Sequence, residues 1–451
     1  MRNDYEREHW TTRLGFILAA AGSAVGLGNI WRFPFVTGTE GGAAFLLIYL
    51  VFIVLIGFPV MITEMAIGRK TQRNPVGAFK SLAPNTPWWI VGSLGVLTGF
   101  VILSYYSVVA GWSLHYIVES ITGLTPEMEF GAVFEEHITQ VGLPIFWHAV
   151  FMGMCVFIIA SGVVDGIQKA VKTLMPILFI LLVVLIIRSL TLEGAGEGIA
   201  FYLSPEWGDV TAGTLSSAVG QAFFTLSLGM GAILTYGSYL SQEDNIPDNA
   251  AYVTGLDTLI AVMSGFAIFP AVFALGLDPA EGPGLTFVTL PAVFAEMPWG
   301  SFFGFLFFLL LSIAALTSAI SLLEVVTAWI VDEKNWARKK AAATLGIIIF
   351  LVGIPPVLGY SAWAGFTDVN PIGMDILDTY DFLADTVMLP LGGLLTTIFA
   401  AYVWKAQNVR DEANRVAGKI QVGGWFDVLI RYIIPIAVGI VLVLGIYEGL
   451  A

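Results

Sequence analysis

Two stretches of this chain place glycines and hydroxyls where an apolar helix would otherwise run unbroken. One is Ala21-Gly22-Ser23-Ala24-Val25-Gly26-Leu27-Gly28-Asn29, with three glycines in seven residues; the other is Phe224-Thr225-Leu226-Ser227-Leu228-Gly229-Met230-Gly231. Glycine costs about 1 kcal/mol against alanine inside a helix but lets the backbone unwind. Unwound backbone offers carbonyl oxygens to a cation. A half-helix that starts there offers N–H groups and a positive dipole end to a carboxylate. Ionisable side chains also interrupt apolar runs, among them Arg32, Glu64 and Asp257. A charge in such a run is costly and marks a functional position. The Thr317-Ser318 pair is ambiguous by itself, since both hydroxyls can bond back to their own helix. Catalytic constellations are missing: the sequence has no His-Glu-x-x-His and no Gly-x-Ser-x-Gly, and His9, His115, His137 and His148 form no paired metal motif. The chain is read as a non-enzyme.

The elements that carry these residues are membrane spans. Of the 451 residues 57% are hydrophobic and 12% charged, roughly half the charged fraction of a soluble protein. Apolar runs long enough to cross a bilayer recur along the whole chain. They are continuous rather than alternating, so helices are expected and a barrel is not. Eleven spans are predicted, at about 13–35, 41–67, 88–120, 144–161, 168–188, 212–240, 251–276, 301–331, 342–358, 375–404 and 426–447. The longest connections, at about 121–143, 189–211 and 277–300, are rich in Glu, Asp, Pro and Gly. Cys155 is the single cysteine and can make no intrachain disulfide. The polar N-terminal segment lacks a cleavable apolar region, so the first span is expected to remain as an anchor.

The basic residues orient the spans. With eleven of them, Arg2, Arg7, Arg13, Arg69, Lys70, Arg73, Lys80, Lys169, Lys172, Lys334, Arg338, Lys339, Lys340, Lys405, Arg410, Arg415, Lys419 and Arg431 fall on one side, and of the 20 only Arg32 and Arg188 do not. This places the N-terminus in the cytoplasm and the C-terminus outside a multi-pass plasma-membrane protein. The net charge of −14 argues against nucleic acid as a partner. Small residues in spans one and six also suit close helix packing. Their occurrence at matching places in two five-helix halves, however, points to a transporter with its site between inverted repeats.

The strings around these breaks resemble the neurotransmitter:sodium symporter family. They run from Arg13-Leu14-Gly15-Phe16 to Gly28-Asn29-Ile30-Trp31-Arg32-Phe33-Pro34. Further matches are Gly57-Phe58-Pro59 to Glu64 with Gly68-Arg69, Tyr105-Tyr106, Gln221-Ala222-Phe223-Phe224-Thr225-Leu226-Ser227 and Leu316-Thr317-Ser318. The likeness is greatest to bacterial eleven-span members that carry several hydrophobic amino acids. It implies one transporter domain over 1–451, with inverted repeats at about 10–190 and 210–405 and an accessory helix at about 425–448. Helices one and six are implied to unwind at the midplane, in an all-α fold.

The resemblance also implies two sodium sites. One is built from Ala24, Asn29, Thr225 and Asp257 with the substrate carboxylate, the other from Gly22, Val25, Ala314, Thr317 and Ser318. Asp257 stands where the family more often has asparagine, and Ala261 lies one turn on, where chloride-dependent relatives carry serine. Chloride independence is therefore expected, with Asp257 as fixed counter-charge and candidate for protonation on the return step. Gly26 stands where amine carriers place aspartate, so the cargo should bring its own carboxylate, with Tyr106 as hydroxyl donor to it. The implied substrate pocket comprises Ala24, Leu27, Gly28, Ile102, Tyr106, Phe224, Thr225, Ser227, Met230, Ser318, Ala319 and Leu322, which suits Leu, Met, Phe or Trp.

Gates follow from the same resemblance. Arg32 and Asp381 would form the outer pair with Phe224 as a lid. Arg7, Trp10 and Asp332 would form the inner gate, and Glu64 would accept N–H groups from the unwound part of span six. Gly166 and Pro176 would bracket a stretch of span five able to unwind. The alternative is a proton-coupled or exchange-type amino-acid transporter of the same repeat architecture; a receptor that senses such a substrate without moving it is a third reading. The sequence sets no oligomeric state.

Overall fold

The computed structural model describes residues 8–277, 279 and 284–450. Among the described residues, nine helices are long and apolar enough to cross a bilayer: Ala43–Thr71, Trp89–Thr122, Gly142–Ala160, Val163–Leu190, Ile246–Ala274, Gly300–Lys334, Arg338–Leu358, Ile376–Val403 and Gly424–Gly449. The predicted first span is a bent pair, Arg13–Ala24 and Gly28–Thr39, turning by 52°. The predicted sixth is two shorter helices, Ala212–Thr225 and Ala232–Gly237. Span numbers below follow this chain order. Predicted and observed limits agree to within about five residues. The longest connections are not structureless: Phe130–Thr139, Ala195–Leu203 and Leu290–Glu296 are helical.

Burial separates scaffold from periphery. The most apolar window of span eight is 89% buried and that of span three 78%, against 33% for spans four and five and 22% for span eleven. Spans three and eight have 34 and 35 residues, about 50 Å each at 1.5 Å rise per residue. They pack against each other through the centre. Span one lies against span eight with a face of small residues, Ala19 to Ala24, all buried. A Cβ on Gly22 would already meet the Met175 sulfur at 3.3 Å and Thr317 Cβ at 3.4 Å. This is close approach through small side chains, and here it brings the broken backbone of span one to the hydroxyls of span eight.

Local chemistry starts and stops these helices. Thr12 caps span one, its side chain accepting from Gly15 N at 3.0 Å. Asn245 does the same for Asp248 N in span seven at 2.8 Å. The buried Arg69 at the end of span two donates from Nε to Glu412 Oε1 at 2.8 Å, fixing the helix Ala406–Ala413 beneath it. Span six breaks because Ser227, Gly229 and Gly231 all adopt positive φ (54°, 79° and 76°). At Gly229 a side chain is also excluded by space, since a Cβ would lie 2.4 Å from Leu389 O.

Candidate functional site

Both breaks fall at the centre and face one another. Helix geometry in span one ends with Val25, whose backbone is extended (φ −72°, ψ 103°). It resumes in a wide π turn over Gly28–Arg32. Gln221 Nε2 donates to the freed carbonyl of Gly28 at 2.8 Å, and Ser227 Oγ donates to Ser23 O at 2.8 Å. The two interrupted spans are thus tied to each other across their breaks.

Two oxygen clusters flank the break in span one. On the span-eight side, Thr317 Oγ1 lies 2.9 Å from Ala314 O and 3.3 Å from Val25 O. Ser318 Oγ lies 2.8 Å from Ser23 O, 3.3 Å from Val25 O and 3.5 Å from Gly22 O. The five residues expected from the sequence therefore converge, joined by the Ser23 carbonyl, which the sequence reading did not include. All are neutral oxygens.

On the span-seven side the cluster contains a carboxyl group. Asn29 Nδ2 donates to Asp257 Oδ1 at 2.7 Å and to Asp257 O at 3.1 Å. Thr225 Oγ1 lies 3.2 Å from each carboxylate oxygen. Gly26 N donates to Asn29 Oδ1 at 3.0 Å, and Ser264 Oγ donates to Asn29 O at 2.6 Å. Asn29, Thr225 and Asp257 are fully buried. No basic side chain is paired with Asp257 among the described residues. A buried carboxylate with only neutral donors is strongly biased towards holding a cation or a proton.

Between the clusters lies a narrow, nearly closed cavity lined by Ala24, Gly28, Ile102, Tyr106, Phe224, Ser227, Met230, Ser318 and Leu322, as expected, together with Ser23 and Gly26. Leu27, Thr225 and Ala319 do not line it. Leu27 contributes its backbone instead, its N–H donating to Tyr106 Oη at 3.1 Å. That leaves the phenolic O–H of Tyr106 to donate elsewhere. Gly26 matters sterically as well as for the charge it lacks. A Cβ there would come 2.3 Å from Ser318 Oγ and 2.8 Å from Tyr106 Oη.

The outer end differs from expectation. Arg32 Nη1 lies 3.6 Å from Asp385 Oδ2, not against Asp381, and its guanidinium sits 4.8 Å over the Phe224 ring. The wide turn Phe382–Met388 begins directly after Asp381. It carries Asp385 inward to Tyr105 Oη at 3.1 Å, while Asp381 stays more exposed. Both partners, Arg32 and Asp385, sit on π turns, which recur at functional sites.

At the other end, Trp10 is buried, with Nε1 donating to Tyr236 O at 3.0 Å and its ring edge-on to Tyr236 and Tyr239. Asp332 accepts from Asn74 N and Nδ2 at 2.9 and 3.1 Å. Arg7 lies outside the described residues. A group missed by sequence reading stands beside Trp10. Tyr239 Oη donates to Glu324 Oε1 at 2.5 Å, and Arg338 pairs with both oxygens of the fully buried Glu324. An acid inside span eight was the available signal. Glu64 Oε1 accepts from Gly229 N at 2.7 Å, as expected. The stretch from Gly166 to Pro176 is wound, forming a π turn over Val163–Gln168 that continues as helix through Pro176.

A profile of the sodium:neurotransmitter symporter family matches residues 7–137 and 127–449. An uncharacterized sodium-dependent transporter of Bacillus subtilis, YhdH, is 42% identical over 438 residues, covering 96% of each chain. An uncharacterized sodium-dependent transporter of Haemophilus influenzae is 35% identical over 459 residues, 99% of each. Among solved structures, that of MhsT in complex with L-phenylalanine superposes with a TM-score of 0.90 at 49% identity, covering 99% of this chain and 100% of that one.

Proposed function

Because the chain belongs to the sodium:neurotransmitter symporter family and is a sodium-dependent membrane transporter, we propose that it imports hydrophobic L-amino acids by alternating access. Leu, Met, Phe and Trp are the cargo class. The observation that carries this reading is the cavity between the two breaks. Its walls combine Ile102, Phe224, Met230 and Leu322 with a few serines, its one phenol has a proton to donate, and Gly26 leaves neither acid nor room for one. A zwitterion with an apolar side chain satisfies those groups, whereas an amine without a carboxylate does not. The L-phenylalanine in the MhsT complex supports the same cargo class.

Two sodium ions are co-transported in this reading. One is held by Gly22, Val25, Ala314, Thr317 and Ser318. The other is held by Ala24, Asn29, Thr225 and Asp257 with the cargo's own carboxylate. Hard oxygen donors suit an alkali cation. Asp257 supplies the fixed negative charge, so chloride is not required, and its carboxylate takes up a proton when the sodium leaves. Arg32, Asp385 and Phe224 close the outer path. Trp10, Asp332 and the Tyr239–Glu324–Arg338 group close the inner one, and the Gly166–Pro176 stretch unwinds to release the inner sodium. The basic flank supports a cytoplasmic N-terminus, and in this reading residues of about 10–190 and 210–405 form the two inverted repeats.

Competition against labelled L-phenylalanine uptake tests this reading. Leu, Met and Trp should compete, phenethylamine should not, and replacing chloride with gluconate should change nothing. Competition by phenethylamine would remove the carboxylate from the account, and loss of uptake in gluconate would remove Asp257 as the sole counter-charge.

A further inference from the structure

Two of the four histidines meet face to face. His115 lies on span three, about 15 Å further along it than Tyr105 at 1.5 Å rise per residue, and so beyond the Arg32–Asp385 pair. His137 lies on the helix Phe130–Thr139, in the connection between spans three and four. Their rings stack with centroids 3.9 Å apart and planes within 7°. Both residues are buried, His137 to 2% exposure. His115 Nε2 sits 3.4 Å from Glu119 Oε1, while neither nitrogen of His137 has a hydrogen-bond partner. Parallel rings cannot both aim an in-plane lone pair at one ion, and no metal-ligating cluster of three or more forms among the described residues. The pair suits protons rather than a metal.

The stack is stable only while both rings are neutral. A proton on His137 would leave a charged N–H among buried groups with no acceptor, which is costly. A second proton would set two like charges 3.9 Å apart. Burial, and after it the His115 ring, holds the His137 imidazole down at about 3, against an ordinary value near 6.5. The other titratable groups at the pair are Tyr116 and Glu119 on span three, and Glu136 on the helix itself, whose charge acts on Glu119. Both acids attract a protonated ring once it has left the stack. Span four faces the pair with Trp147, and the turn Leu285–Thr289 presents Phe287 to Tyr116 and Phe134; neither ring carries charge.

We propose that the His115–His137 stack is a proton-operated latch: acid charges the imidazoles, the helix Phe130–Thr139 leaves span three, and its grip on the connection between spans seven and eight is lost. That grip is Phe134, parallel to Phe287 at 5.6 Å, with Trp112 edge-on to both. An imidazole that is harder to charge when docked stabilises docking above its free value near 6.5. This contribution is lost as pH falls below that value, about tenfold per unit for each ring that takes a proton.

Amide hydrogen exchange of the full-length protein in nanodiscs tests the proposal, and it needs neither cargo nor sodium. A helix of 10 residues is marginal by itself, so its protection reports its docking. With each rate divided by the intrinsic rate at the same pH, protection over 134–139 should be level above about pH 7.5 and fall at least about tenfold from there to pH 5.5. Protection over 100–110 in span three should stay constant, which reports an intact fold. His137→Phe keeps a ring on the stack without a titrating nitrogen and should shrink the fall; His115→Phe together with His137→Phe should remove it. Protection over 134–139 indifferent to pH in the unsubstituted protein would overturn the proposal. So would an equal fall in the double variant with span three still protected.

Discussion

The two oxygen clusters around the break in span one are built from different materials. The cluster facing span eight is neutral, with two hydroxyls and backbone carbonyls within 2.8–3.5 Å. The cluster facing spans six and seven contains a fully buried carboxylate whose hydrogen bonds come from an amide and a hydroxyl. A neutral cage attracts a cation through dipoles alone, holds it less strongly, and releases it when a few oxygens move apart. A buried carboxylate binds more strongly but must be neutralised once the cation departs. On the proposed reading, release belongs to the span-eight side and charge balance to the span-seven side. Gly26 belongs to both sides, with its N–H on Asn29 and its missing side chain beside Ser318.

The largest expected effect comes from emptying the neutral cluster. Thr317→Val with Ser318→Ala keeps the packing but removes both side-chain oxygens, and sodium-driven uptake should fall about a thousandfold, to background. Retention of sodium-dependent uptake would show that this cluster holds no coupling ion. Gly26→Ala should come next, at about a hundredfold, because its methyl cannot coexist with Ser318 Oγ and Tyr106 Oη where they stand. Phenylalanine affinity reads this directly, and an unchanged value would mean the cavity geometry is wrong.

Asp257→Asn probes the charged side. The sodium half-saturation concentration should rise about tenfold, and the variant should become sensitive to added halide where the parent is not. A variant indistinguishable from the parent in both respects would erase the distinction between the clusters. Smallest is Ser264→Ala, which removes the 2.6 Å hydrogen bond to the Asn29 carbonyl and the 2.7 Å contact with Ala261 O in its own helix. Sodium affinity should weaken about two- to threefold; a tenfold loss would move Ser264 into the ion's own shell.

Much of this was legible in the sequence because glycine and intramembrane polarity are punctuation that apolar helices rarely carry. The breaks at Gly22–Asn29 and Thr225–Gly231, the acid at Asp257 and the paired hydroxyls at Thr317 and Ser318 all stood out. Details that depend on winding did not. An α-helical register cannot distinguish Asp381 from Asp385, since both lie on one face. The π turn after Asp381 decides which of them meets Arg32. The resemblance places Leu27 in the pocket wall, yet side-chain direction beside an unwound backbone follows no period. Glu324 was overlooked although it carries the same signal as Asp257. Its partners Tyr239 and Arg338 are 85 and 14 residues away in sequence, so only the fold brings them together.

The proposed mechanism has sodium drive the uptake of a zwitterionic apolar cargo. Its most direct test is accumulation of labelled L-phenylalanine in potassium-loaded proteoliposomes, with sodium, potassium or a proton gradient imposed outside. Concentrative uptake under the inward sodium gradient alone, abolished by a sodium ionophore, is the predicted result. Equal accumulation in external potassium, or accumulation driven by the proton gradient without sodium, would contradict it.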